Sequence, residues 1–349
     1  MARSLRTLVI SDLHLGQRAH HDVLRRTGPL EALLKALDGV DRLVLLGDTL
    51  ELMSRHPAPS MMAAEPILRA IGRRLGPKRE VILVPGNHDE PLVRAWALAQ
   101  GTRLTPGASV DPDASRALRR ILSWLAPASA RANYPGVWLS DRVWATHGHY
   151  LDAHLVPESA FGLPRGRLGR GRGRPALPID YERVHRRRRR SRDSLLDRAL
   201  SRPIATLLES LAELVRAATM PRLPRLLMDV RMAPLTARLL DAQMRHASIP
   251  AMARVVQRLG IDADFVVFGH VHRLGPLADQ RWWRGDAGPR FLNTGSWLYE
   301  PLLVDRATPP HPYWPGGAVL LEPGHEPRAV GLLDGLGADQ LRGGVEGMA

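Results

Sequence analysis

The sequence predicts an α/β fold, and three observations predict it. Short apolar runs alternate with helix-spaced apolar patterns through residues 1–90, similar runs return after residue 262, and most of these runs end in a small polar cluster. Continuous apolar strands separated by helices mark a sheet covered on both faces. Such sheets collect ligands at the carboxyl ends of their strands.

Leu8, Val9 and Ile10 form the first run, which ends at Ser11-Asp12. Leu30, Leu33, Leu34 and Leu37 then follow i, i+3, i+4, i+7 spacing, one face of a helix that Gly39 ends. Residues 43–46 are a second buried strand, ending at Gly47-Asp48. A helix follows over 61–75. Residues 81–84 are a third strand, ending at Pro85-Gly86-Asn87-His88. Residues 91–135 read as mixed helix and loop. Residues 137–139 and 143–146 read as a hairpin whose second strand ends at His147-Gly148-His149.

The pattern changes between 150 and 262. A Gly/Arg/Pro-rich loop over 164–178 precedes three apolar helix faces. The first is Ile204, Leu207, Leu208, Leu211 and Val215; the second is Leu226, Leu227 and Val230. The third is Met252, Val255, Val256 and Leu259, with Ser248 as its N-cap and Gly260 beyond its end. Residues 150–262 are therefore expected to be a helical, arginine-rich insertion, or lid, in a catalytic domain made of 1–149 and 263–333. Strand pattern resumes at 265–268, ending at Gly269-His270-Val271-His272, and at 291–292, ending at Asn293-Thr294-Gly295. Residues 318–321 and 329–333 are the last strands, and the Gly-rich stretch 334–349 is expected to be a flexible tail.

At 349 residues the chain is two domains or one with large insertions, and its 44% hydrophobic content supports a sizeable core. No stretch reaches the roughly 18 uncharged apolar residues of a membrane span. The first residues lack the apolar run and cleavage site of a signal peptide, so a cytoplasmic location is expected. There is no cysteine, so any metal must rest on His, Asp, Asn or Glu. The net charge is +14, and residues 165–192 hold twelve arginines against Asp180 and Glu182, which is ten of those charges.

Taken singly, the polar clusters are ordinary: Asp12-x-His14 reads as a surface turn, Gly47-Asp48 as a helix cap and Gly86-Asn87 as a plain turn. Together they are specific. Five blocks occur in order, each after an apolar strand: Asp12-x-His14, Gly47-Asp48-x-x-Glu51, Gly86-Asn87-His88-Asp89, His147-Gly148-His149 and Gly269-His270-x-His272. In a strand-like run, residues i and i+2 point the same way, so Asp12 can share a site with His14, and His270 with His272.

This set resembles the calcineurin-like metallophosphoesterase superfamily over residues 5–149 and 262–333. The resemblance implies a four-layer α/β/β/α sandwich with a helical insertion and a phosphoesterase centre of two divalent metals. It implies Asp12, His14 and His272 on one metal, Asn87, His147 and His270 on the other, and Asp48 as the bridge. Two metals about 3.5–4 Å apart clamp both oxygens of a phosphoryl displacement and acidify the attacking water. The donor set suits manganese, iron or zinc without choosing among them, and two manganese ions are the expected cofactor. His88 is expected to contact phosphate and protonate the leaving oxygen. Asp89 orients His88 in this reading; alternatively the two only pair structurally. Glu51 is outside the ligand set, as a supporting or helix residue. His149 has no metal role, His20, His21 and His154 are expected to be solvated, and Arg273 either reaches a phosphate or lies on the surface.

The layout is nearest the UDP-2,3-diacylglucosamine pyrophosphohydrolase-like branch, which also opens Ser-Asp-Leu-His-Leu, as at 11–15. That branch carries arginine where His88 stands, so its substrate does not transfer. The expected substrate is an anionic phosphate ester or pyrophosphate with an apolar part, nucleotide-linked or phospholipid-like. Arg186, Arg187, Arg188, Arg189 and Arg190 suit peripheral contact with an anionic membrane, or form a solvated loop. A nuclease is the first rival, weakened because only Tyr181 interrupts the arginines as a stacking aromatic. A non-catalytic scaffold is the second, and it would be marked by lost ligand residues.

Overall fold

The structure, a computed structural model, describes residues 5–17, 21–53, 57–155, 176–192, 240–277, 280, 283, 288–304 and 306–342. The apolar runs become β1 (Thr7–Ile10), β2 (Arg42–Leu46) and β3 (Glu80–Val84), paired in parallel. Beyond β3 lie β4 (Ala108–Val110) and β5 (Ser129–Tyr134); β5 is parallel to β3, and β4 is antiparallel to β5. The second sheet contains β6 (Gly136–Ser140), β7 (Val143–Thr146), β8 (Phe265–Phe268), β9 (Leu274–Gly275) and β10 (Arg290–Thr294). Finally β11 (Gly317–Leu321) and β12 (Arg328–Gly331) return to the first sheet beside β1. The orders are β12-β11-β1-β2-β3-β5-β4 and β6-β7-β8-β10-β9.

Strand alternation divides the core into three layers. Val9, Val44, Leu46, Ile82 and Val84 face Val137, Ala145, Val267 and Leu292 across the space between the sheets. The alternate residues Leu8, Ile10, Leu43, Leu45, Val81 and Leu83 face helices α1 (Thr27–Ala36) and α2 (Ala58–Leu75) through Leu33, Ile67, Leu68 and Ile71. Both faces of these strands are buried, which is why they read as unbroken apolar runs. Helices α3 (Arg94–Gln100) and α4 (Arg116–Trp124) extend the same side, with Leu118 and Ile121 of α4 in its core. On the outer face of the second sheet, Trp144, Val266 and Phe268 pack with Met252, Val255 and Val256 of a helix at Ile249–Leu259 and with Tyr181 of another at Pro178–Arg192. The result is the expected four-layer α/β/β/α sandwich.

Several expectations change. Residues 129–134, read as helix or loop, are a parallel strand: Ser129, Arg131 and Asn133 break the apolar signal, and Arg131 instead pairs with Glu80 at 2.6 Å. Ser248 is no N-cap, because the backbone is already helical through a π-turn at Met244–Ser248, while Gly260 does end the helix at φ 64°. The helices Pro178–Arg192 and Ile249–Leu259, within the expected insertion 150–262, pack on the outer face of the second sheet. Residues 338–342 are helical rather than frayed, with Leu341 buried and its carbonyl bonded by Arg26. The arginine run lies on the helix Pro178–Arg192, not in a loop. The expected loop over 164–175, the helix faces at 204–215 and 226–230, and His20 lie outside the described residues.

Candidate metal centre

The parallel strands of both sheets end on one rim. There β1 delivers Asp12 and His14, β2 Asp48, β3 Asn87 and His88, β7 His147, and β8 His270 and His272. Backbone hydrogen bonds lock the rim: Asp12 N donates to Gly47 O at 3.0 Å, His14 N to Asp48 O at 2.8 Å and Gly269 N to His147 O at 2.9 Å. The glycines of the blocks are there for close approach. A Cβ on Gly47, whose φ is 86°, would run into the His147 ring, and one on Gly86 into the Asp48 carboxylate.

Among the described residues, six non-glycine residues have positive φ, and five of them are Asp12, His14, Asp48, His270 and His272. Each such conformation costs on the order of 1–3 kcal/mol for a non-glycine residue, so it persists only where the surroundings enforce it. Here the strained positions coincide with the proposed ligands.

The side chains converge as electron-pair donors. His147 Nδ1 lies 3.1 Å from Leu46 O and so carries its proton there, which leaves Nε2 facing Asp48 Oδ2 at 3.2 Å and Asn87 Oδ1 at 3.1 Å. His14 Nδ1 lies 3.4 Å from Glu51 Oε2, and His14 Nε2 faces His272 Nε2 at 3.4 Å and Asp48 Oδ2 at 3.7 Å. Asp12 Oδ1 is buried 3.1 Å from His272 Nε2, yet no well-aligned hydrogen bond joins them. Such an arrangement repels itself unless protons or cations sit between the donors. Asp12, His14 and His272 form one ligand cluster and Asp48, His147 and His270 another. The residues present therefore fit two divalent cations.

The electrostatics agree. Burial alone would raise Asp12, but His272 and His147 hold it down at about 2. Asp48 is likewise held well below its ordinary range by His147, His14 and His88 against the cost of burial. The partners respond: despite burial, His147 rises to about 9 beside Asp48 and Asp12, and His272 also rises beside Asp12. Binding a cation here releases those protons.

His88 is brought to the centre, with Nε2 4.0 Å from Asp48 Oδ2. Its expected partner is wrong. Asp89 Oδ2 accepts from Thr49 N at 2.8 Å and Oδ1 from Leu50 N at 2.9 Å, so this carboxylate ties down the loop after β2. Burial and Asp48 raise its pKa to about 7. Glu51 takes the orienting role instead, with Oε2 2.7 Å from His88 Nδ1. Burial opposes its charge, but His14 and His88 hold it down at about 2. Its signal was present as the last residue of the Gly47-Asp48-x-x-Glu51 block.

Asp152 has no motif signal. It lies on the 3-10 turn His149–His154, and its Oδ1 is 3.1 Å from His270 Nε2. His270 N also donates to Asp12 Oδ2 at 3.0 Å. Arg273 is neither on the surface nor free for phosphate: it is buried, and its Nε donates to Asp241 at 2.6 Å. His21 meets Glu300 at 3.0 Å and His154 meets the Tyr181 hydroxyl at 2.8 Å, so neither is simply solvated. His149 is buried, its ring 5.6 Å from that of His147.

Among known proteins, the family model described as calcineurin-like phosphoesterase matches residues 5–274. No curated protein matches the sequence. Solved structures with some likeness include a dimetal phosphatase from Danio rerio, at 11% identity over 94% of this chain and 99% of that one, with a TM-score of 0.36. A cold-active protein tyrosine phosphatase shares 14% identity over 91% of this chain and 74% of that one, with a TM-score of 0.31.

Proposed function

The chain belongs to the calcineurin-like phosphoesterase family, and from that premise we propose that it hydrolyses an anionic phosphate ester or pyrophosphate at the rim centre. The observation that carries this reading is the convergence of lone-pair atoms from Asp12, His14, Asp48, Asn87, His147, His270 and His272, five of which are held at positive φ. Asp12, His14, Asp48 and His272 would hold one divalent cation, and Asp48, Asn87, His147 and His270 the other. When bound, the two cations supply Lewis acidity toward the phosphoryl oxygens and acidify water near neutral pH.

The chain's own residues do the rest. His88 stands at the edge of the centre and gives a proton to the departing oxygen. Glu51 fixes the tautomer of His88 by accepting a hydrogen bond from its Nδ1–H, so that Nε2 faces the reaction. Asp89 holds the loop that carries Asn87 and His88 against the loop after β2. The nitrogen- and oxygen-only donor set is compatible with manganese, iron or zinc, and manganese is the cation proposed here.

The finer substrate reading is a nucleotide-linked or phospholipid-like ester. Its support is the arginine run on the helix Pro178–Arg192, which is anchored near the centre by a His185 Nε2 contact 3.0 Å from His149 O. In this reading the run from Arg186 to Arg190 meets an anionic membrane surface. Among the described residues, no helix is long and apolar enough to cross a membrane.

The test is a turnover screen on chelator-treated protein, with and without manganese. Substrates are p-nitrophenyl phosphate, bis-p-nitrophenyl phosphate, a UDP-sugar and DNA. Manganese-dependent hydrolysis of at least one ester is expected. No turnover with manganese, iron or zinc would overturn the reading.

A further inference from the structure

A cavity of about 190 Å³ opens directly beside His270, between the 3-10 turn His149–His154 and the segment 240–248. Leu151, Leu155, Leu240, Met244 and Val271 give it apolar walls. On its wall, Oε1 of Gln243 is buried with no hydrogen-bond partner among the described residues. A buried acceptor left unmatched costs about 1–3 kcal/mol, so it calls for a donor from a ligand.

We propose that this cavity holds the substituent that stays on phosphorus, so that the substrate is a disubstituted phosphate carrying a ring-sized, largely apolar group on its retained side. The proposal rests on the phosphoesterase reading above. Its size follows from the volume: a dry cavity of roughly 150 Å³ accepts benzene.

The retained side, rather than the leaving side, follows from the position of His88. That imidazole clusters with His14 and Glu51, whereas the cavity adjoins His270, which clusters with Asp48 and His147. The departing oxygen must face His88 to receive its proton and therefore points toward the other half of the centre. In the balanced step, water adds its oxygen to phosphorus and the P–O bond on the His88 side breaks. His88 protonates the departing oxygen and is reprotonated by the proton that water releases. The product is a monosubstituted phosphate whose remaining group still occupies the cavity. A donor N–H or O–H on that group would satisfy Gln243.

Two diesters with the same leaving group separate the sites: phenyl p-nitrophenyl phosphate and methyl p-nitrophenyl phosphate, each assayed on the manganese-loaded full chain. The wild type is expected to prefer the phenyl ester by about tenfold or more in kcat/KM, the usual yield of filling an apolar pocket. Leu240→Trp, which fills the cavity from a half-buried wall residue, should abolish that preference and leave the methyl ester rate unchanged. Met244→Phe is the second variant, and the methyl ester rate shows in each case that the centre is intact. A preference that survives both variants would overturn the proposal. So would equal loss on both esters, which would place the leaving ring in the cavity. If the wild type turns over neither ester but does hydrolyse p-nitrophenyl phosphate, the disubstituted class is wrong and the phosphoesterase reading stands.

Discussion

Oε2 of Glu51 lies 2.7 Å from Nδ1 of His88. The same oxygen lies 3.4 Å from Nδ1 of His14, so one carboxylate sets the tautomer of both a proposed metal ligand and the proposed proton donor. Glu51→Gln keeps an acceptor but removes the charge. His88 has its pKa raised: burial pulls it down, but Glu51 and Asp48 more than compensate. The acid form of His88 therefore persists to higher pH and is lost as pH rises through that raised value. In Glu51→Gln this loss should move to lower pH. Turnover of alkyl esters should fall about 10²-fold or more, and that of p-nitrophenyl esters less, because a good leaving group needs no proton. Unshifted pH profiles would show that Glu51 only packs.

Asp152→Ala should weaken one of the two cations. A carboxylate on the far nitrogen of a ligating imidazole typically contributes 10- to 100-fold in metal affinity, so a loss of about that size is expected for the cation at His147 and His270. Manganese titration by calorimetry should show one site unchanged and one weakened. Two unchanged sites would remove Asp152 from the account.

Glu182 sits on the helix Pro178–Arg192 with its Oε1 2.6 Å from the Tyr134 hydroxyl and 2.5 Å from that of Tyr150. Burial raises its pKa to about 7, against the lowering effect of those two hydroxyls. A carboxyl raised in the folded state favours folding at low pH. That contribution is complete below the ordinary value of 4.5 and is lost as pH rises to about 7. The shift is equivalent to roughly 3 kcal/mol as an upper bound. Glu182→Gln should therefore gain stability relative to wild type between pH 5 and pH 8 in urea unfolding, by up to that amount. A constant difference across that range would mean that Glu182 ionises normally.

What was legible in the sequence divides along physical lines. The central strands could be read because both of their faces are buried, as at Leu43–Leu46. The proposed ligand set could be read as a group because its polar blocks recur at strand ends, which the structure brings together on one rim. Strand β5 was hidden because Arg131 pairs with Glu80 rather than entering the core. The partners of the catalytic groups were hidden as well. Asp89 is adjacent to His88 in sequence but its oxygens are claimed by Thr49 N and Leu50 N, whereas Glu51 reaches His88 across two loops. Asp152 meets His270 across 118 positions of chain, a relationship that no local pattern records.

The central claim is a two-cation centre bridged by Asp48, whose carboxylate lies 3.2 Å from His147 Nε2 and 3.7 Å from His14 Nε2. Elemental analysis of manganese-loaded wild type and Asp48→Asn, run beside bis-p-nitrophenyl phosphate turnover, tests it directly. Wild type is expected to hold two equivalents per chain. The variant, with the bridge's charge gone while two cations still repel, should hold about one or fewer and lose turnover by roughly 10³-fold or more. Two full equivalents in Asp48→Asn with ordinary turnover would contradict the account.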